Sequence, residues 1–171
     1  MRTYINELYH HGIKGQKWGV RRYQNSDGTL TEAGRKRYGI NDNGWMTTEG
    51  KRILRSDRKE QDDIFAKQLE KLPKSERTNA YRKYIDENDG DVWKNLQKQE
   101  MIEDRLKDYK TMSKLYRTKG VDTVVAINNR GKMSLVENDP LLLGDATKKG
   151  YTVVNSMSDI MNVIKVSDVV R

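Results

Sequence analysis

Apolar positions recur in three different ways along the chain, and the changes between them divide it. Between residues 59 and 118 the spacing is helical. Phe65, Leu69 and Leu72 stand at i, i+4 and i+7, and Pro73 closes that segment. Ser75 then predicts the N-cap of a second helix with Tyr81, Tyr84 and Ile85 on one face. The run Glu87-Asn88-Asp89-Gly90-Asp91 reads as a break, followed by a longer helix carrying Trp93, Leu96, Ile102, Leu106, Tyr109 and Tyr116. From residue 119 the period shortens. Val121–Ile127 is β-branched, Asn128-Asn129-Arg130-Gly131 predicts a hairpin turn, and Lys132–Val136 returns. Gly150–Val154 is a third strand candidate, and Ser158 predicts the cap of a short helix with Ile160, Val163 and Ile164 on one side.

Residues 1–58 show neither period, but they contain a repeat. Asp27-Gly28-Thr29-Leu30-Thr31-Glu32-Ala33-Gly34-Arg35-Lys36 aligns without gaps on Asn43-Gly44-Trp45-Met46-Thr47-Thr48-Glu49-Gly50-Lys51-Arg52, a period of 16 residues. Each copy reads as a turn in which Gly accepts positive φ, an apolar anchor (Leu30 or Met46), and a Thr that caps a short basic helical stub. Few apolar residues and many glycines predict little burial within this region, with order gained mainly through its contacts. The predicted fold class is therefore α+β. It comprises a turn-rich basic N-terminal module (1–58), a helical region (59–118) and a small C-terminal α/β unit with a β-hairpin (119–171).

Composition sharpens this division. Hydrophobic residues make up 35% of the chain and charged residues 34%, which suits small layers better than one thick enzyme-like core. The net charge is +8, and residues 1–58 carry most of it, with 12 Lys/Arg against 6 Asp/Glu. The later regions are nearly balanced, at 14 against 13 and 7 against 6. Tyr4, Tyr9, Trp18, Tyr23, Tyr38 and Trp45 fall in the same basic third, and basic charge interleaved with aromatics suits nucleic acid or an acidic protein surface.

Several kinds of chemistry find no support in these residues. With no cysteine there is no disulfide, thiolate catalysis or Cys-ligated zinc. His10 and His11 are adjacent, so they point apart in a strand and lie ~100° apart on a helix, and neither a shared metal site nor a catalytic triad is expected. Gly12-Ile13-Lys14-Gly15 and Gly15-Gln16-Lys17-Trp18-Gly19 lack the spacing of a phosphate-binding loop, and the acidic run at 86–91 lacks the register of a calcium loop. No apolar run approaches the ~20 residues that cross a bilayer, and MRTYINELYHH lacks the apolar stretch of a secretory signal. The expectation is a non-enzymatic protein with no cofactor, no metal and no membrane partner.

Residues 10–39 read HHGIKGQKWGVRRYQNSDGTLTEAGRKRYG. This stretch resembles a module found in structural and head-morphogenesis proteins of tailed bacteriophages from Gram-positive hosts. There its core is HHGI-x-GQKWGVRRYQN-x-DGTLT-x-AG. The resemblance covers less than a fifth of the chain. It implies a virion-associated or capsid-assembly protein, located in the virion or the host-cell cytoplasm, whose module docks on a capsid or portal protein or on packaged DNA. The alternative is a phage-encoded nucleic-acid-binding or host-directed regulatory protein acting in the infected cell. The candidate binding residues are Lys14, Lys17, Trp18, Arg21, Arg22, Tyr23, Arg35, Arg37, Lys51 and Arg52. Arg forks match phosphate or carboxylate, and aromatic faces stack on bases or fill a partner's pocket.

Overall fold

The computed structural model describes Tyr23, Asn25, residues 29–88 and residues 90–170. The described chain is α+β, in the order α1 (Glu32–Arg37), α2 (Thr48–Lys71), α3 (Lys74–Asn88), α4 (Asp91–Thr118), β1 (Thr123–Asn128), β2 (Met133–Glu137), α5 (Pro140–Lys148), β3 (Tyr151–Val153) and α6 (Met157–Val163), closed by a 3-10 turn at Val166–Asp168. These elements fall into two compact units. One holds the described residues up to Ile40 together with Met46–Trp93; the other holds Asn41–Trp45 together with Lys94 onward. The sequence divisions at 58 and 118 do not coincide with these limits. No helix among the described residues is long and apolar enough to cross a membrane.

The first unit is built on a helical hairpin. The predicted stripe on α2 holds: Phe65 is buried and stacks on Tyr84 of α3, ring centroids 4.0 Å apart and 5° from parallel. Leu69, Leu72, Ala80 and Ile85 complete this small core. Pro73 ends α2 as expected, and Arg77 donates to the carbonyls of Leu72 (3.0 Å) and Glu70 (2.9 Å), satisfying acceptors that the helix end leaves open. Two local expectations are corrected. α3 begins at Lys74, so Ser75 lies inside the first turn and does not cap it. Tyr81 is 52% exposed, because the stripe that faces α2 narrows to Ala80 and Tyr84.

The second unit is a three-stranded antiparallel sheet in the order β2-β1-β3, packed on α4 and α6. β1 pairs with β2 from Thr123↔Glu137 to Ile127↔Met133, through the predicted hairpin. At its tip the Asn128 side-chain carbonyl accepts from the backbone N–H groups of Arg130 and Lys132, both at 3.0 Å, and Gly131 takes φ 78°. β1 alternates so that Val125 and Ile127 join Ile102 and Leu106 of α4, Val154, Ile160 and Ile164 in the core. Ser113 of α4 is buried and donates to the Thr123 carbonyl at 2.7 Å, fixing helix to strand. The helix predicted near Ser158 is present as α6. Its cap is Ser156, however, in a capping box with Asp159, and Val163 stays 44% exposed.

Two further features were not expected from the sequence. α5 fills the connection between β2 and β3, begun by Asp139, whose carboxylate accepts from the N–H groups of Leu141 and Leu142, with Pro140 in the first turn. The second helical stub is in fact the 24-residue α2, running without interruption across residue 58. Nor is burial in the first third slight: Tyr38, Trp45 and Met46 are 7%, 1% and 1% exposed.

Candidate functional site

The basic repeat is a structural repeat. Backbone hydrogen bonds recur at the 16-residue offset: Asn25 N–H to the Thr29 carbonyl (2.7 Å) is matched by Asn41 to Trp45 (3.0 Å), and Thr31 to Tyr23 (3.2 Å) by Thr47 to Gly39 (3.2 Å). Thr31 and Thr47 are both N-caps, their hydroxyls accepting from the N–H of Gly34 at 3.1 Å and of Gly50 at 3.0 Å. Each copy is thus a small hairpin leading into a capped helix. The helix glycine is required by packing rather than by backbone angle. A Cβ at Gly34 would collide with the backbone carbonyl of Tyr23, and one at Gly50 with that of Tyr38.

The candidate binding residues divide into three groups. Lys14, Lys17, Trp18, Arg21 and Arg22 lie outside the described residues, as do His10 and His11. Tyr23 and Arg37 come together, with the guanidinium 4.8 Å from the ring centroid. The same guanidinium grips Asp57 of α2 in a fork, Nη2 to Oδ1 at 2.8 Å and Nε to Oδ2 at 3.1 Å. Tyr38 donates its hydroxyl to Asp57 at 3.3 Å. Burial, reinforced by the Asp57 charge, pushes the Tyr38 hydroxyl up to about 12. Arg37 therefore clamps the first copy to α2 by its planar fork. Lys51 is also buried, at 8% exposure, while Arg35 and Arg52 are exposed. Arg52 pairs with Glu49 at 2.6 Å one turn away, which holds the Glu49 carboxyl below its ordinary range. Such an exposed pair is worth little to stability and opens readily to a partner.

Asp57 is the residue that sequence reasoning missed. It stands 20 positions from Arg37, beyond any helical spacing, and only the folded hairpin brings the two together. Leu30, Tyr38, Leu54, Asp57 and Trp93 line a cavity of about 80 Å³ beside it. Ligand pockets run from roughly 300 Å³ upwards, so this space suits a few waters and not a metabolite. Arg58 extends beside it, 5.2 Å from the Trp93 ring and 5.5 Å from Tyr84, and pairs with Asp62 at 3.0 Å. Among the described residues there is no group of three or more His, Cys, Asp or Glu placed to hold a metal ion.

The tip of the second copy belongs to the second unit. Trp45 is 1% exposed in its core, and its indole N–H donates to the Ile164 carbonyl at 2.7 Å. The Asn43 side chain donates to the Met161 carbonyl at 3.0 Å, and the Val166 N–H donates to the Asn43 carbonyl at 2.9 Å. Buried Gln99 of α4 donates to the Gly44 carbonyl at 3.4 Å. A Gly turn followed by an aromatic here acts as a plug, anchored by one large ring and fixed in register by backbone hydrogen bonds.

Comparison with known proteins gives one match, a family of unknown function (DUF7211) over residues 1–25. No curated protein and no solved structure matches the chain.

Proposed function

We propose that this chain is a component of a tailed-phage particle or of its assembly machinery, attached through the basic, aromatic stretch around Trp18. The observation that carries the reading is the near-complete resemblance of residues 10–39 to the phage structural module. Two properties of the described residues support docking on protein. The repeat spends Arg37 on an internal clamp, so part of its positive charge serves the scaffold. The plug formed by Asn43, Gly44 and Trp45 also demonstrates, within this molecule, how a glycine turn beside an aromatic seats on a protein surface. Trp18 sits in a comparable setting, one residue before Gly19 and three after Gly15.

The runner-up, a nucleic-acid-binding protein of the infected cell, draws its support from the surplus of basic residues in 1–58. Quantitative mass spectrometry of purified particles tests the choice. A fixed copy number per particle is the expected result, and absence of the chain from particles that assemble normally sinks the leading reading.

A further inference from the structure

We propose that α5 is the contact through which two copies of this chain pair about a two-fold axis. The outward face of α5 carries Leu141, Gly144, Asp145 and Lys148 at i, i+3, i+4 and i+7, and nothing in the chain covers it: Leu141 is 81% exposed. A leucine so exposed, with its neighbour Leu142 at 45%, stands beside an open groove of about 340 Å³ bounded by Val136, Leu142, Ala146 and Tyr151. Projecting side chain and groove thus occur together on one surface, the condition for a self-complementary two-fold contact.

Two independent features point to a second copy. The first is Gly144. Glycine is the least favourable ordinary residue in a helix interior, yet a Cβ at this position would meet nothing within 4 Å. No packing inside the chain requires it, whereas the close approach of another helix does. The second feature is charge. The start of α5 is acidic, with Glu137 and Asp139, and its end is basic, with Lys148 and Lys149. Antiparallel pairing across Gly144 sets each acidic start against the other copy's basic end and aligns the two helix dipoles favourably. A partner surface of a single sign would satisfy only one end of this face. The contact of one nine-residue helix and a groove falls in the small class of interfaces, so pairing is expected to be weak, with a Kd on the order of 10 μM.

Sedimentation velocity on the full chain, from roughly 1 to 300 μM, brackets that constant. The expected result is a concentration-dependent shift from monomer to dimer. Gly144→Leu should leave the melting temperature unchanged or higher, because its side chain points into open space, while raising Kd by ~10-fold or more. The acidic double variant Lys148→Glu with Lys149→Glu, and the basic one Glu137→Lys with Asp145→Lys, should each self-associate poorly yet pair with one another when mixed. A chain that stays monomeric throughout overturns the proposal. So does a dimer that tolerates Gly144→Leu or is indifferent to the charge variants, since it uses another face.

Discussion

At the scale of single residues, the molecule relies on a few side chains that combine burial with one polar commitment. Trp45 is the clearest, a ring in the core of the second unit with its only donor satisfied by the Ile164 carbonyl. Trp45→Phe keeps most of the packing but leaves that carbonyl without this donor, and should cost about 1–3 kcal/mol. Trp45→Ala adds a cavity and should cost about 3–5 kcal/mol. Urea unfolding checks both, and a loss below ~1 kcal/mol for the alanine variant would mean that the plug is not seated in solution. Tyr38 predicts a pH effect of definite sign. Its hydroxyl is raised from 10.0 to about 12 in the folded chain, so the folded state holds the proton more tightly than the unfolded state. That contribution to stability is fully present below pH ~10 and is lost as pH climbs through about 12. Replacement by Phe should flatten this alkaline decline in the melting temperature; an identical alkaline slope in Tyr38→Phe refutes the assignment.

Among the elements, the repeat is the feature whose local chemistry decides its form. Gly50→Ala places a methyl group against the Tyr38 carbonyl, so hairpin and helix must separate; it should cost more than ~2 kcal/mol despite raising helix propensity. Thr47→Ala removes only a cap and should cost about 1 kcal/mol. Thermal unfolding of the two variants side by side measures this, and equal effects would show that the close approach is not formed. The same local rules made much of the fold legible in the sequence. Thr31 and Thr47 as caps, Pro73 as a stop, the break at 87–91 and the hairpin at Asn128–Gly131 are each set by two or three neighbouring residues. α5 was equally legible, since Asp139-Pro140 is a helix start, but its leucines at 141–143 have no helical spacing to advertise it. What could not be read is non-local. Thr29 and Trp45 occupy the same place in the two copies, and that difference is the one trace in the sequence of the plug. Nothing near Trp45 announces Ile164, 119 positions away. The Arg37–Asp57 clamp is hidden for the same reason, because a charge run reads as a solvated face until folding supplies its partner.

For the whole molecule, the question is whether the basic third recognises a partner by its charges or by an aromatic anchor, and the two alternatives make opposite demands on residues 14–22. Phosphate recognition would distribute affinity over Lys14, Lys17, Arg21 and Arg22, together with the exposed Arg35 and Arg52. Binding would then fall steeply with salt, by roughly 0.9 log units of affinity per log unit of salt for each phosphate neutralised. Arg21→Ala with Arg22→Ala would flatten that dependence by about two units, alike for every sequence. Docking on protein concentrates the energy instead. A buried aromatic anchor commonly costs ~2 kcal/mol or more on truncation, whereas an exposed rim charge changes the rate of encounter more than the affinity. The described part of the chain favours the second pattern. Arg37 is held by Asp57 and Lys51 is buried, so the charge offered by the repeat is smaller than its composition suggests. The plug at Trp45 shows one aromatic with three backbone contacts sufficing to seat a glycine turn. Trp18→Ala should therefore abolish incorporation of the chain into particles while leaving its melting temperature unaltered, and the double Arg variant should still be incorporated, more slowly and with greater sensitivity to salt. Particle-associated copy number by mass spectrometry, measured for both variants against the unmodified chain, decides between them: normal incorporation of Trp18→Ala beside failure of the Arg pair assigns recognition to charge, and to nucleic acid as its natural ligand.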